Sequence, residues 1–261
     1  MRKFSILFLC ISLTLALTAC KETPAASETT EASEPVTSTA AETEADTPES
    51  TGATSPETTD GTQQTSAADT FTGIDVELTT GTLTIRFGSA FSLTYEDGRA
   101  AAYSVTDGTL YIADPAAGKL VLTLPEGACY DATAFRIGQG HLYVEGSLQT
   151  SRLTLELGQG EAKLEAVSVL EGCEINVTRG SAYLSGTLGG EVDAQCTEGH
   201  IQLQVSGQQT DYNYALEVSS GNIAIGSSNY SGLVSKSVDS GAGSTMRLSC
   251  QYGDIAVQFR N

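Results

Sequence analysis

Apolar and polar residues alternate along the C-terminal part of this chain, and glycine punctuates the alternation at near-constant intervals. From Gly140 onward each of these glycines is followed by apolar residues two and four positions later. Gly140 leads to Leu142 and Val144, Gly160 to Ala162 and Leu164, Gly180 to Ala182 and Leu184, Gly199 to Ile201 and Leu203, and Gly221 to Ile223 and Ile225. The spacings are 20, 20, 19 and 22. Apolar positions seven, five and three before the glycine repeat as well: Leu153, Leu155 and Leu157; Cys173, Ile175 and Val177; Val192, Ala194 and Cys196; Tyr214, Leu216 and Val218. Period two on both sides of a turn residue predicts strands. The same signature closes the chain with Met246, Leu248, Cys250, Gly253, Ile255 and Val257, and opens the domain less regularly at Gly81 and Gly108.

A unit of about twenty residues made of two or three short strands cannot cover its own inward face, whereas stacked units cover one another. Residues 71–261 are therefore expected to be all-β, as a parallel β-solenoid with coils of about 20 residues. Each coil would add a rung of about 4.8 Å, with aliphatic columns inside and Thr154, Glu156, Glu174 and Asn176 outside. A β-sandwich is the alternative for the irregular residues 71–135.

The N-terminal residues follow another pattern. Arg2 and Lys3 precede an apolar run from Phe4 to Leu17, then Thr18, Ala19 and Cys20. That is the layout of a secretory signal. Fourteen residues as a helix reach about 21 Å, short of the roughly 30 Å of a bilayer core, so residues 1–19 read as a cleaved signal rather than a span. Leu17, Thr18, Ala19 and Cys20 resemble the bacterial lipobox. The resemblance implies cleavage before Cys20 and lipid on its sulfur, which fixes the chain to the extracytoplasmic face of a cell membrane. Two or three acyl chains pass the threshold for stable attachment that one does not.

Residues 20–70 are rich in Thr, Ser, Ala, Glu and Pro, with one Lys against eleven acidic residues. Such a segment cannot bury a core and reads as a disordered, self-repelling linker, with a flexible-coil span of about 40 Å. Of the formal charge of −19, the folded part keeps twenty-one acidic residues against ten basic ones. Phosphate recognition needs clustered Lys and Arg, so nucleic acid is not an expected partner.

Candidate chemistry is sparse. Cys129, Cys173, Cys196 and Cys250 are even in number, but three occupy inward repeat positions, where buried thiols are expected. Cys196 and Cys250 share a column, yet sequential stacking places Val218 between them, at about 9.6 Å, beyond disulfide reach. His141 and His200 follow corner glycines three coils apart and read as solvent-facing turn residues. Tyr212, Tyr214 and Tyr230 lie close in sequence and are candidates for an aromatic surface, although Tyr214 is inward by register. No catalytic residue, metal or cofactor is assigned.

The repeat, together with Phe71 to Tyr95, the segment LVLTLPEG from Leu120 to Gly127 and the segment SGAGSTMRLSCQYGDIAVQF from Ser240 to Phe259, resembles a bacterial β-strand-repeat family of unknown function labelled "putative adhesin". The resemblance spans nearly all of residues 71–261. It implies a β-helix-like domain on the cell envelope and transfers no binding residue. The expected function is that of a non-enzymatic surface lipoprotein that adheres to, or binds, a cell-wall, glycan or protein component of the envelope or host. An envelope-stress sensing lipoprotein is the alternative, followed by a polysaccharide-cleaving β-helix enzyme.

Overall fold

The computed structural model describes residues 70–114 and 118–260. Their strands are β1 Gly73–Gly88, β2 Ser92–Tyr95, β3 Ser104–Thr106, β4 Thr109–Asp114, β5 Gly118–Pro125, β6 Cys129–Leu188, β7 Glu191–Cys196 and β8 His200–Ser206. They continue with β9 Tyr212–Val218, β10 Asn222–Ile225, β11 Ser228–Ser231, β12 Val234–Val238, β13 Ser244–Cys250 and β14 Asp254–Arg260. All fourteen belong to one sheet, which curls around one apolar core. Among the described residues the only helical element is a 3-10 turn at Gln209–Asp211.

The all-β class follows from the alternation. Every inward position named from the repeat, from Leu142 and Val144 to Ile255 and Val257, is buried. Burying one such Leu, Ile or Val side chain contributes about 1.5–3 kcal/mol, so a charge at Leu155 or Leu203, both fully buried, would break the core. The run β6 is 60 residues of continuous extended backbone that turns corners at glycine. At Gly160 (φ +126°) a side chain would be strained, and its Cβ would collide with the carbonyl oxygen of Gly140 (φ +147°). Only glycine lets neighbouring corners stack this closely. The same column of touching corners runs Gly118, Gly81, Gly140, Gly160, Gly180, Gly199, Gly253, Gly221.

The corner column separates each rung into a first arm before the glycine and a second arm after it. First arms pair in parallel: Ile74 lies beside Leu110 on one side and Thr133 on the other, and Cys173 beside Val192. Second arms do the same, with Leu83 between Leu120 and Leu142, and Ala182 beside Ile201. A short third segment adds Leu148, Val167, Val169 and Leu188 to the core. The Gly189 N–H donates to the Val169 carbonyl there at 2.8 Å.

The stacking order departs from the chain order at both ends. β1 lies between β6 and the rung of β4 and β5, although β4 and β5 come later in sequence. At the other end β13 lies between β7 and β9, and β14 between β8 and β10. The first and last rungs of the sequence are therefore each tucked one place inside the stack. Antiparallel strands then cover the end rungs: β3 on β4, β2 on β5, β12 on β9 and β11 on β10. These four are three to five residues long, and short edges limit pairing with other chains.

Three sequence expectations are corrected here. Gly108 is not a corner: it sits with φ +74° in the turn between β3 and β4, and Gly118 takes the corner beside Gly81. Leu110 and Ile112 accordingly align with Ile74 and Val76 of the first arm. Residues 71–135 form no sandwich, because β1, β4 and β5 join the common sheet. Val218 does not separate Cys196 from Cys250, because β13 is inserted before β9 and places Cys250 directly beside Cys196.

Candidate functional site

Residues one, three and five after each corner glycine point outward, so the second arms build a continuous outer face. Thr82, Thr84 and Arg86 follow Gly81, and His141, Tyr143 and Glu145 lie beside them. Glu161, Lys163 and Glu165 follow Gly160, and Ser181, Tyr183 and Ser185 follow Gly180. In the column three places after the corner, Tyr143, Lys163 and Tyr183 stand on successive rungs. Lys163 lies within electrostatic reach of both tyrosines.

At its N-terminal end the face is extended by β2, where Thr94 lies beside Val121 and the Glu96 N–H donates to the Lys119 carbonyl at 2.8 Å. A groove of about 530 Å³ opens there, lined by Thr82, Thr84, Arg86, Thr94, Glu96, Lys119, His141 and Tyr143 among others. The rings of His141 and Tyr143 are parallel within 4°, with centroids 5.9 Å apart. Beside them Arg99 sits over the Tyr95 ring at 4.7 Å.

The charges on this face neutralise one another across and along the rungs. Lys119 pairs with Glu96 at 2.9 Å, Arg86 with Glu145 at 2.9 Å and Lys163 with Glu165 at 2.6 Å. All six groups are largely exposed, where such pairs contribute little to stability. The Tyr143 hydroxyl contacts a Glu161 carboxylate oxygen at 3.5 Å, and the Tyr183 O–H donates to Gln204 Oε1 at 2.7 Å. Partial desolvation and then the Glu161 carboxylate hold the Tyr143 phenol above its ordinary range. The outer face of the first arms is instead laced by ions: Arg136 bridges Asp75 and Glu156, and Arg247 pairs with Glu191.

The lipobox residues Leu17, Thr18, Ala19 and Cys20, like the linker up to residue 69, lie outside the described residues. Cys173, Cys196 and Cys250 are buried free thiols as the repeat implied, and Cys129 is exposed. Among the described residues no three His, Cys, Asp or Glu side chains gather as a metal-holding group. His200 is half-buried, and both histidines begin second-arm strands rather than lying in turns. Tyr212, Tyr214 and Tyr230, the candidates for an aromatic surface, do not form one, and Tyr214 is inward as its register predicts. Tyr212 and Tyr214 are buried, their hydroxyls donating to the Leu188 and Gln209 carbonyls, because the third segment stops near Gly190 and large rings fill the space it leaves. Tyr230 instead meets Lys236, whose ammonium lies 4.8 Å from its ring centroid.

The rings that do share a face, Tyr143 and Tyr183, were legible three places after their corner glycines but carry no motif. Glu96 is the one carboxylate of the groove lining, and Lys119 neutralises it. The paired carboxylates of glycoside cleavage are not brought together there.

Residues 130–261 match the family model described as Toastrack DUF4097. No curated protein matches the chain. Among solved structures, a "putative cell adhesion protein" from Clostridium sporogenes ATCC 15579 is similar at 12% identity and a TM-score of 0.45, covering 74% of this chain and 95% of that one. A "putative adhesin" from Bacteroides fragilis NCTC 9343 is similar at 16% identity and a TM-score of 0.29, covering 73% and 92%.

Proposed function

The chain belongs to the Toastrack DUF4097 family, and on that premise we propose that it is a non-enzymatic binding protein of the bacterial cell envelope, carried on lipid at Cys20 and displayed through the acidic linker of residues 20–70. In this reading residues 71–261 form a β-solenoid of coils of about twenty residues, whose second-arm face engages an envelope or host component. The observation that carries it is the continuity of that face. Corner glycines in contact from Gly118 to Gly221 hold outward side chains in straight columns, and a groove at one end of the face offers rings, hydroxyls and mutually neutralised charges. Long regular faces of this kind suit extended ligands. Rigid columns also lower the ordering cost of binding.

Two measurements test the reading. The full chain, displayed on cells or purified in detergent, is screened against cell-wall fragments, glycans and host-matrix proteins. Capture of none of them removes the binding role. Cys20→Ala is expected to abolish metabolic labelling with fatty acid and leave uncut precursor; unchanged labelling would remove the anchor.

A further inference from the structure

We infer that the second-arm face binds an uncharged β-linked polysaccharide strand laid along the stacking direction, with Tyr143 and Tyr183 as its ring platforms. The inference rests on the binding role proposed above and assigns it a ligand class and residues.

Spacing is the first support. Tyr143 and Tyr183 share one outward column with Lys163 between them, so two rungs, about 9.6 Å, separate the rings. In a diequatorially β-linked pyranose chain each sugar advances by close to one rung, and alternate sugars present the same face. Two tyrosines on alternate rungs therefore meet equivalent faces of alternate sugars. An α-linked chain coils and loses that match. Both phenol oxygens are engaged, Tyr143 near Glu161 and Tyr183 by Gln204, which orients the rings and leaves them to contribute apolar contact. His141 stands next to the first platform, its ring parallel to that of Tyr143 at 5.9 Å.

Charge is the second support. The folded part is acidic overall, which repels polyanions at a distance. On this face Arg86, Lys119 and Lys163 each stand beside a carboxylate, which balances the positive charge that a phosphate, sulfate or uronate would seek. What remains available is rings, the hydroxyls of Thr82, Thr84 and Thr94, and the free edges of the paired carboxylates. That set recognises hydroxyl-rich, uncharged sugars. The groove of about 530 Å³ beside Tyr143 receives the strand where the face meets β2.

The test is calorimetric titration of the full chain in detergent with cellohexaose and chitohexaose, with the α-linked maltohexaose as comparison. At least one β-linked hexamer is expected to bind, and the α-linked one at least about tenfold more weakly. Tyr143→Ala and Tyr183→Ala should each weaken binding about fivefold or more, while Tyr252→Ala, on an exposed corner away from the column, should not. Affinity should change less than about twofold between low and high salt. Absence of binding by both β-linked hexamers, or unchanged affinity in both alanine variants at unchanged melting temperature, overturns the inference. Capture of some other ligand that Tyr143→Ala leaves intact sinks this inference and spares the binding role, whereas capture of nothing sinks both.

Discussion

Cys250 lies directly beside Cys196 in parallel register, although the two are far apart in sequence, because the last rung is inserted between two earlier ones. Both thiols are buried, and the Cys250 S–H donates to the Gly253 carbonyl at 2.9 Å. Differential alkylation with peptide mapping checks the burial of these thiols. In the native chain the exposed Cys129 should react, and Cys173, Cys196 and Cys250 should react at least about a hundredfold more slowly, since they are reached only through opening of the core. Denaturant should equalise all four. Fast native labelling of Cys196 or Cys250 would contradict their burial in the core.

The corner stack makes a prediction about glycine that separates strain from crowding. Gly160 and Gly98 both have positive φ, +126° and +85°. A Cβ at Gly160 meets the Gly140 backbone, whereas one at Gly98 meets nothing within 4 Å. Gly98→Ala should cost about 1 kcal/mol, from backbone strain alone. Gly160→Ala should cost about 3 kcal/mol or more, because neighbouring backbones must part. Chemical denaturation of both variants reads the difference, and equal costs would mean that the corners do not touch.

How far the sequence determines this architecture is visible in particular residues. Leu153, Leu155 and Leu157 before a glycine and Ala162 and Leu164 after it state both arms and their inward faces, because a side-chain period of two leaves no other way to bury them. The third segment was illegible, since Leu148 or the pair Val167 and Val169 is too short a run to show a period. Stacking order was illegible for a deeper reason. Every rung presents the same apolar pattern, so Cys250 could lie against Cys196 or beyond Val218 with equal burial. What decides between them is the antiparallel return through β11 and β12, and no alternation in the sequence encodes it. Of the candidate site, the tyrosine column could be read from the twenty-residue spacing of Gly140, Gly160 and Gly180, but the groove could not, because it depends on where β2 folds back onto β5.

Buried hydroxyls predict opposite outcomes for one substitution. Tyr130 stacks on Phe71 at 5.9 Å, and its buried hydroxyl has no hydrogen-bond partner. Burial pushes its phenol up to about 12. An unsatisfied buried hydroxyl costs about 1–3 kcal/mol, so Tyr130→Phe should stabilise the fold by about 1 kcal/mol and raise the melting temperature by about 3 °C. Tyr212→Phe removes the donor that satisfies the Leu188 carbonyl and should lower stability by about 1 kcal/mol. Calorimetric melting of the two variants tests the contrast, and a loss in both would contradict the orphaned hydroxyl.

Alkali should unfold the domain through its thiols before its tyrosines. Burial pushes the Cys173 thiol up to about 12 and that of Cys196 up to about 11, the latter against opposing backbone hydrogen bonds from Gly199 and Asp254. An unfolded cysteine releases its proton near 8.5. Both folded values are raised, so the stability these thiols contribute is intact below about pH 8.5 and is lost as pH rises toward the folded values. Between about pH 8.5 and 10 the unfolded chain sheds protons that the folded one keeps, and each thiol removes about 1.4 kcal/mol per pH unit. The buried tyrosines Tyr130 and Tyr214, also raised by burial, add to the slope only above about pH 10. Cys173→Val keeps the apolar volume in its column beside Val192 and deletes one titrating group. Urea denaturation at pH 8 and at pH 10 should therefore show a fall in unfolding free energy that is smaller in the variant by about 2 kcal/mol. An equal fall in both proteins would place the Cys173 thiol in contact with water.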